Sequence, residues 1–286
     1  MQEVNVQAEK VEEYKPPIEE TAWSRLKKAF GPIAVFGVVI VKFLAKFKFV
    51  LPALLKSGGT MLLMVWVYMQ LWGWQFALGF VLLLFVHETG HLIVAKKFGL
   101  KVGAPVFIPF IGAFIALKEA PRNAWMEACV GIGGPLLGSL GALVCHALGE
   151  FFAAPIFLAL GWFGYFLNLF NLTPVGMLDG GRIVTALSRW LWLPGFALLI
   201  WFGLKFPNFI IWLIVILSVP RVYSLFRKRT EGEQRYFEVT PSQRCIISLL
   251  YFGLIMVLLF GMHVAQNDLN KYGFPSHGHG RHIIVQ

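Results

Sequence analysis

Between Thr60 and Phe98 the sequence is apolar almost without interruption, and this feature restricts the fold more than any other. One membrane-crossing helix needs about 20 residues, so a run of this length predicts two helices. Gly73 is the natural break, with a short first span before it and a second from about Trp74 to Phe98. The rest of the chain agrees. Its 286 residues are 57% hydrophobic and 14% charged, whereas ordinary soluble domains carry roughly 25% charge. A water-soluble globule of this size could not hide so much apolar surface. Composition therefore excludes a soluble enzyme, a disordered chain and a nucleic-acid-binding domain. The net charge of +10 belongs to the same picture, because Lys and Arg sit mostly between apolar segments, where they orient helices against an anionic inner leaflet.

The expected architecture is an all-α polytopic membrane protein with about six transmembrane helices and a membrane-embedded β-hairpin or loop. Residues 1–29 are polar, contain no apolar stretch that could serve as a signal peptide, and read as a disordered cytoplasmic segment. Residues 30–59 are apolar but carry Lys42, Lys46, Lys48 and Lys56, which suits an amphipathic helix in the interface better than a span. Residues 60–220 form the core. Within it Pro105–Leu117 is too short to span and is broken by two prolines and a glycine, so it reads as the hairpin or loop. Further spans are expected near Trp125–Leu148 and Pro155–Leu172, then two apolar runs divided near Lys205–Asn208. Residues 221–243 read as a basic cytoplasmic loop, 244–265 as a last transmembrane helix, and 266–286 as a polar tail. The three cysteines, Cys129, Cys145 and Cys245, suggest buried small hydrophobes rather than a disulfide framework.

The chemistry sits at the end of the second span. His87-Glu88-Thr89-Gly90-His91 places two imidazoles four residues apart on one helix face, the spacing that lets both hold one metal ion with the intervening Glu beside a bound water. Ionisable groups within a span are costly and default to functional sites. The plainer reading is a pair of histidines satisfied by neighbouring helices. A catalytic zinc needs a third protein ligand. The chain has two aspartates, Asp179 and Asp268. Asp268 falls in the polar tail. Asp179 follows Pro174 between apolar runs, and reads equally as a ligand or as the N-cap of a helix over 180–190.

These residues together resemble the site-2 protease family of intramembrane zinc metalloproteases. HExxH is followed by the family's NxxPxxxLDG pattern, intact as Asn171, Pro174, Leu178, Asp179 and Gly180, and Gly134-Pro135 is similar to its glycine-rich stretch. The resemblance covers roughly residues 60–220. It implies one zinc ion per chain held by His87, His91 and Asp179, with Glu88 as catalytic acid/base and Asn171 positioning substrate or stabilising the oxyanion. It also implies a transmembrane protein or peptide substrate and a multi-pass protein of the inner (cytoplasmic) membrane whose active site faces the cytoplasm, near Lys96, Lys97 and Arg182. No segment here has room for the PDZ domain or CBS pair that many relatives carry. The implied function is hydrolysis of peptide bonds of membrane proteins within or near the bilayer. A polytopic metal transporter and a catalytically inactive scaffold of the same fold are the alternatives. The tail histidines His277, His279 and His282 read as a solvated tract outside the site, and Gly134, Gly138 and Ala142 read as helix packing or as room for substrate backbone beside the metal.

Overall fold

The computed structural model describes residues 58–206 and 208–273. The expected lead-in, the interfacial helix and the tail histidines lie outside the described residues. Helix α1 (Gly59–Trp72) and helix α2 (Trp74–Lys97) are separated at Gly73. Its φ of 79° lies in the left-handed region, which glycine enters without the steric penalty of a Cβ. Helix α3 (Ala124–Phe151) follows an Asn123 N-cap whose side chain accepts the Met126 N–H at 2.9 Å, and α4 spans Pro155–Asn171 with its proline in the first turn. After these come α5 (Asp179–Leu187), a 3-10 turn at Arg189–Leu191, α6 (Trp192–Lys205) and α7 (Phe209–Tyr223). A short α8 (Glu231–Tyr236) lies within the stretch read as a loop, and α9 runs Pro241–Lys271. Capping boxes at Thr230/Glu233 and Thr240/Gln243 start α8 and α9.

Helices α2, α3 and α9 are long and apolar enough to cross a membrane, and α1, α4 and α7 are shorter apolar helices. Leu249, Phe252, Met256 and Phe260 on α9 lie exposed, an apolar face too large for water and suited to lipid. The protein is therefore a membrane protein. Helix α3 is central, packed against α2, α4, α5 and α9. Cys129 and Cys145 are half-buried, and Cys245, expected to be buried, is exposed in the first turns of α9. Helix α9 also runs past the expected end of the last span. Asp268, read as part of a polar tail, is buried within it and pairs with His146 Nε2 at 2.9 Å. That pairing lets the helix carry a carboxylate inward.

Strands β1 (Val102–Ile108) and β2 (Gly112–Leu117) form an antiparallel hairpin with Val106 opposite Phe114 and Phe107 opposite Ala113. Helix α1 anchors it. Thr60 Oγ1 accepts the Phe107 N–H at 3.3 Å, and Tyr68 Oη accepts the Phe110 N–H at 3.0 Å. β1 is the sole strand partner of β2 among the described residues, so the other edge of β2 has no ladder.

Candidate metal centre

The helical spacing of His87 and His91 brings both rings to the face of α2 that meets α3 and α4. Each ring is oriented from behind. His87 Nδ1 lies 2.8 Å from Asn168 Oδ1, and Asn168 Nδ2 donates to the Gly164 carbonyl at 2.7 Å, which fixes the amide so that its oxygen accepts from the imidazole. His91 Nδ1 lies 2.7 Å from the Val130 carbonyl, an acceptor only. The Gly134 N–H also points at this nitrogen, at the longer distance of 3.3 Å, and the shorter contact decides that Nδ1 carries the proton. Both rings therefore present bare Nε2 lone pairs to the same point.

Asp179 meets them there. Its Oδ2 is 3.2 Å from each Nε2, and the two Nε2 atoms are 3.1 Å apart. Ligands about 2.0–2.1 Å from a tetrahedral dication are roughly 3.4 Å from one another, so this triangle is close to the face of such a polyhedron. Three inward-facing lone pairs repel unless a cation lies between them, and the donor set of two imidazoles and a carboxylate fits a zinc-type ion. Asp179 does not cap its helix. It is the first residue of α5, the N-cap position falls to Leu178, and the carboxylate turns to the imidazoles instead. Arg182, one turn on, stands 3.9 Å from Asp179 Oδ1.

Glu88 is buried beside the histidines, with ligand-type atoms of all three residues within 4.8 Å of one another. Its carboxylate is left over once Asp179 completes the triangle. A cavity of about 330 Å³ opens on this group. Its polar wall includes His87, Glu88, His91, Asn171, Asp179 and Arg182, and Phe110–Ile115 of the hairpin form the opposite side. Lys96 and Lys97, expected near the opening, are exposed and do not line it.

Asn168 is the residue that sequence reasoning missed. Asn171, three positions later, carries the motif, and nothing local distinguishes the earlier asparagine from a helix-interior polar residue. The signal was on α3. A Cβ at Gly138 would land on the Asn168 amide and one at Gly134 on the His91 ring. These small residues make room for the ligands and their supports, while Ala142 packs against Gly164.

Fold and site together define a helical membrane protein with a buried His–His–Asp centre and a spare glutamate. Residues 75–155, from α2 through α3, match the model of Peptidase family M50, the family of the site-2 proteases, and this stretch includes His87–His91 and Gly134-Pro135. The chain is 34% identical over 121 residues to a zinc metalloprotease of Methanocaldococcus jannaschii, covering 41% of this chain and 34% of that one. It is 31% identical over 160 residues to a probable chloroplastic zinc metalloprotease of Arabidopsis thaliana, covering 40% of this chain and 28% of the other. The match thus spans about a third of the length of these curated relatives. The solved Site-2 Protease from Methanocaldococcus jannaschii aligns with a TM-score of 0.37 and 24% identity, over 63% of this chain and 87% of that chain.

Proposed function

We propose that the chain is a multi-pass intramembrane zinc metalloprotease that hydrolyses peptide bonds of transmembrane substrates within or near the bilayer. The observation that carries this reading is the meeting of His87 Nε2, His91 Nε2 and Asp179 Oδ2 at 3.1–3.2 Å separations, with a buried glutamate beside them that none of the three needs. The similarity to zinc metalloproteases supports the choice of metal.

His87, His91 and Asp179 would hold the ion, and Asn168 and the Val130 carbonyl would keep both imidazoles in the tautomer that binds. Bound zinc supplies Lewis acidity, lowering the pKa of a water toward about 7 and polarising the scissile carbonyl. Glu88 accepts the proton of the attacking water and delivers it to the leaving amine. Asn171, on the cavity wall, donates to the carbonyl oxygen as negative charge develops there. A helical substrate hides its amides in its own hydrogen bonds, so the scissile segment must unwind. The unpaired edge of β2, facing the cavity, is the partner for that extended segment. The basic residues of 221–235 and Lys96–Lys97 support a cytoplasmic position for this end of the bundle by the charge rule.

The test is a paired measurement on the purified full chain. Glu88→Gln is expected to keep one zinc per chain and to lose about 10²–10⁴-fold in cleavage of a transmembrane substrate, whereas Asp179→Ala loses the zinc. Retention of zinc by Asp179→Ala, or cleavage by Glu88→Gln at the wild-type rate, overturns the reading. Zinc flux through proteoliposomes that survives Glu88→Gln would favour transport.

A further inference from the structure

The third ligand is carried by the least regular part of the core. Thr173–Leu178 joins α4 to α5 through turns alone, with Val175 N–H donating to the Thr173 carbonyl at 2.7 Å and Leu178 N–H to the Val175 carbonyl at 2.9 Å. Local bonds of this kind do not fix where a loop sits relative to α2, yet Asp179 must stay within coordinating reach of two imidazoles on that helix.

Two side chains from outside the motif grip the connection: Tyr251 of α9 donates to the Leu172 carbonyl at its start, at 2.6 Å, and Arg221 holds its middle. Arg221, in the last turn of α7, donates from Nη1 to the Gly176 carbonyl at 2.6 Å and from Nη2 to Glu127 Oε1 at 2.7 Å. Its guanidinium lies 4.9 Å from the Trp192 ring centroid. Trp192 in turn donates its indole N–H to the Gly181 carbonyl at 2.9 Å. The two carbonyls flank Asp179 in sequence, so the ligand is held from both sides. Glu127 belongs to the first turn of α3 and is itself capped by Tyr236 of α8, whose hydroxyl donates to Oε2 at 2.9 Å. Burial and the adjacent Glu127 carboxylate both push the Tyr236 phenol pKa up, so this donor keeps its proton.

We propose that Arg221 is a positioning residue for Asp179, held by Glu127 and Trp192, and that Tyr236 extends this clamp to α8, making the metal affinity of the centre dependent on a helix outside the HExxH and LDG motifs. This role rests on the zinc-centre reading above. It uses what is particular to arginine. The planar fork spans a carbonyl and a carboxylate at once and stacks on an indole, which an ammonium cannot do.

The experiment measures zinc affinity of the purified full chain by chelator competition, the thermal midpoint of the metal-free protein, and the visible spectrum of the Co²⁺-substituted protein. Wild type and Asp179→Ala come first, and failure of this pair to differ in zinc binding overturns the zinc-centre reading itself. With that difference in hand, Arg221→Met is expected to weaken zinc binding about 10–100-fold, the range seen when outer-shell partners of metal ligands are removed, and Arg221→Lys to restore only part of it. Tyr236→Phe, which removes one oxygen and leaves the packing, is expected to weaken zinc severalfold with an unchanged metal-free midpoint. The Co²⁺ bands should shift in both variants as the carboxylate moves. Lys101→Ala, which breaks the exposed 2.9 Å pair with Glu119 away from the clamp, serves as control and should leave affinity unchanged. Zinc affinity and Co²⁺ spectra of Arg221→Met and Tyr236→Phe indistinguishable from wild type would overturn the inference. Should Arg221→Met also lose metal-free stability, Tyr236→Phe decides between the two outcomes.

Discussion

Asn168 accepts the Nδ1 proton of His87 at 2.8 Å, from a position on α4 that exists because residue 138 on α3 has no side chain. Three helices thus share one imidazole: α2 supplies it, α4 orients it and α3 makes the room. Removing the acceptor frees the ring to rotate and to change tautomer. Asn168→Leu is expected to weaken zinc binding about 10–100-fold, and Gly138→Ala to act in the same direction by displacing the amide. Chelator competition on the purified protein checks both, and unchanged affinity in both would mean that His87 is oriented by something else.

Gly134 faces the second imidazole. A methyl group there occupies the space of the His91 ring itself, because the Cβ would meet its Nε2, Cε1 and Cδ2 atoms. The ring has no free volume to retreat into, since its Nδ1 is held at 2.7 Å by the Val130 carbonyl. Gly134→Ala should therefore reduce zinc content to well under one per chain, although the substitution raises helix propensity by up to about 1 kcal/mol. Metal analysis of the folded variant is the measurement, and full occupancy would contradict this placement of His91.

Most of the architecture could be read from hydropathy and from two residue types. Gly73 splits an apolar run too long for one span, and the prolines and glycine of 105–117 mark the hairpin, because backbone rules act locally and leave their trace in the sequence. The histidine pair of α2 was equally plain, since helical spacing alone puts His87 and His91 together. What stayed hidden depends on contacts between distant segments. Asn168 looks like any polar residue in a helix until Gly138 is seen opposite it. Asp268 looks like a tail residue until His146, far away on α3, is found within 2.9 Å. Arg221 looks like one more positive charge beside a membrane, yet it holds the Gly176 carbonyl. Asp179 offered two local uses, as cap and as ligand; in the fold Leu178 takes the N-cap position and the Asp179 carboxylate lies 3.2 Å from both imidazoles of α2.

The hairpin offers a separable test of substrate handling. Ala113 and Ile115 of β2 line the cavity, and among the described residues no hydrogen bond joins either side chain to His87, His91 or Asp179. Phe107, opposite Ala113, turns its N–H away from β2 to Thr60, so by strand alternation Ala113 and Ile115 carry the outer-edge N–H groups, and proline there removes a donor that would pair with an extended substrate. With each such bond contributing about 0.5–1.5 kcal/mol, Ala113→Pro and Ile115→Pro are expected to slow cleavage by roughly tenfold or less while zinc content stays at the wild-type level. Equal losses of zinc and of cleavage would show that the hairpin supports the centre rather than the substrate.

At the opposite end of α3 a second buried polar group bears on stability alone. His146 Nε2 and Asp268 Oδ2 pair at 2.9 Å between α3 and α9, Lys271 donates to Asp268 Oδ1 at 2.6 Å, and both members of the pair are buried. Deleting one partner of this pair, which adjoins the exposed Lys271 ammonium, leaves a buried hydrogen-bonding group without its partner, which costs about 1–3 kcal/mol. Asp268→Ala should therefore lower the thermal midpoint of the detergent-solubilised protein by several degrees, and His146→Leu/Asp268→Leu, which removes both polar groups together, should recover most of the loss. Zinc affinity should be the same in all of them, because no hydrogen bond connects this pair to His87, His91 or Asp179. A midpoint unmoved by Asp268→Ala would place the pair in contact with water and remove it from the packing of α9.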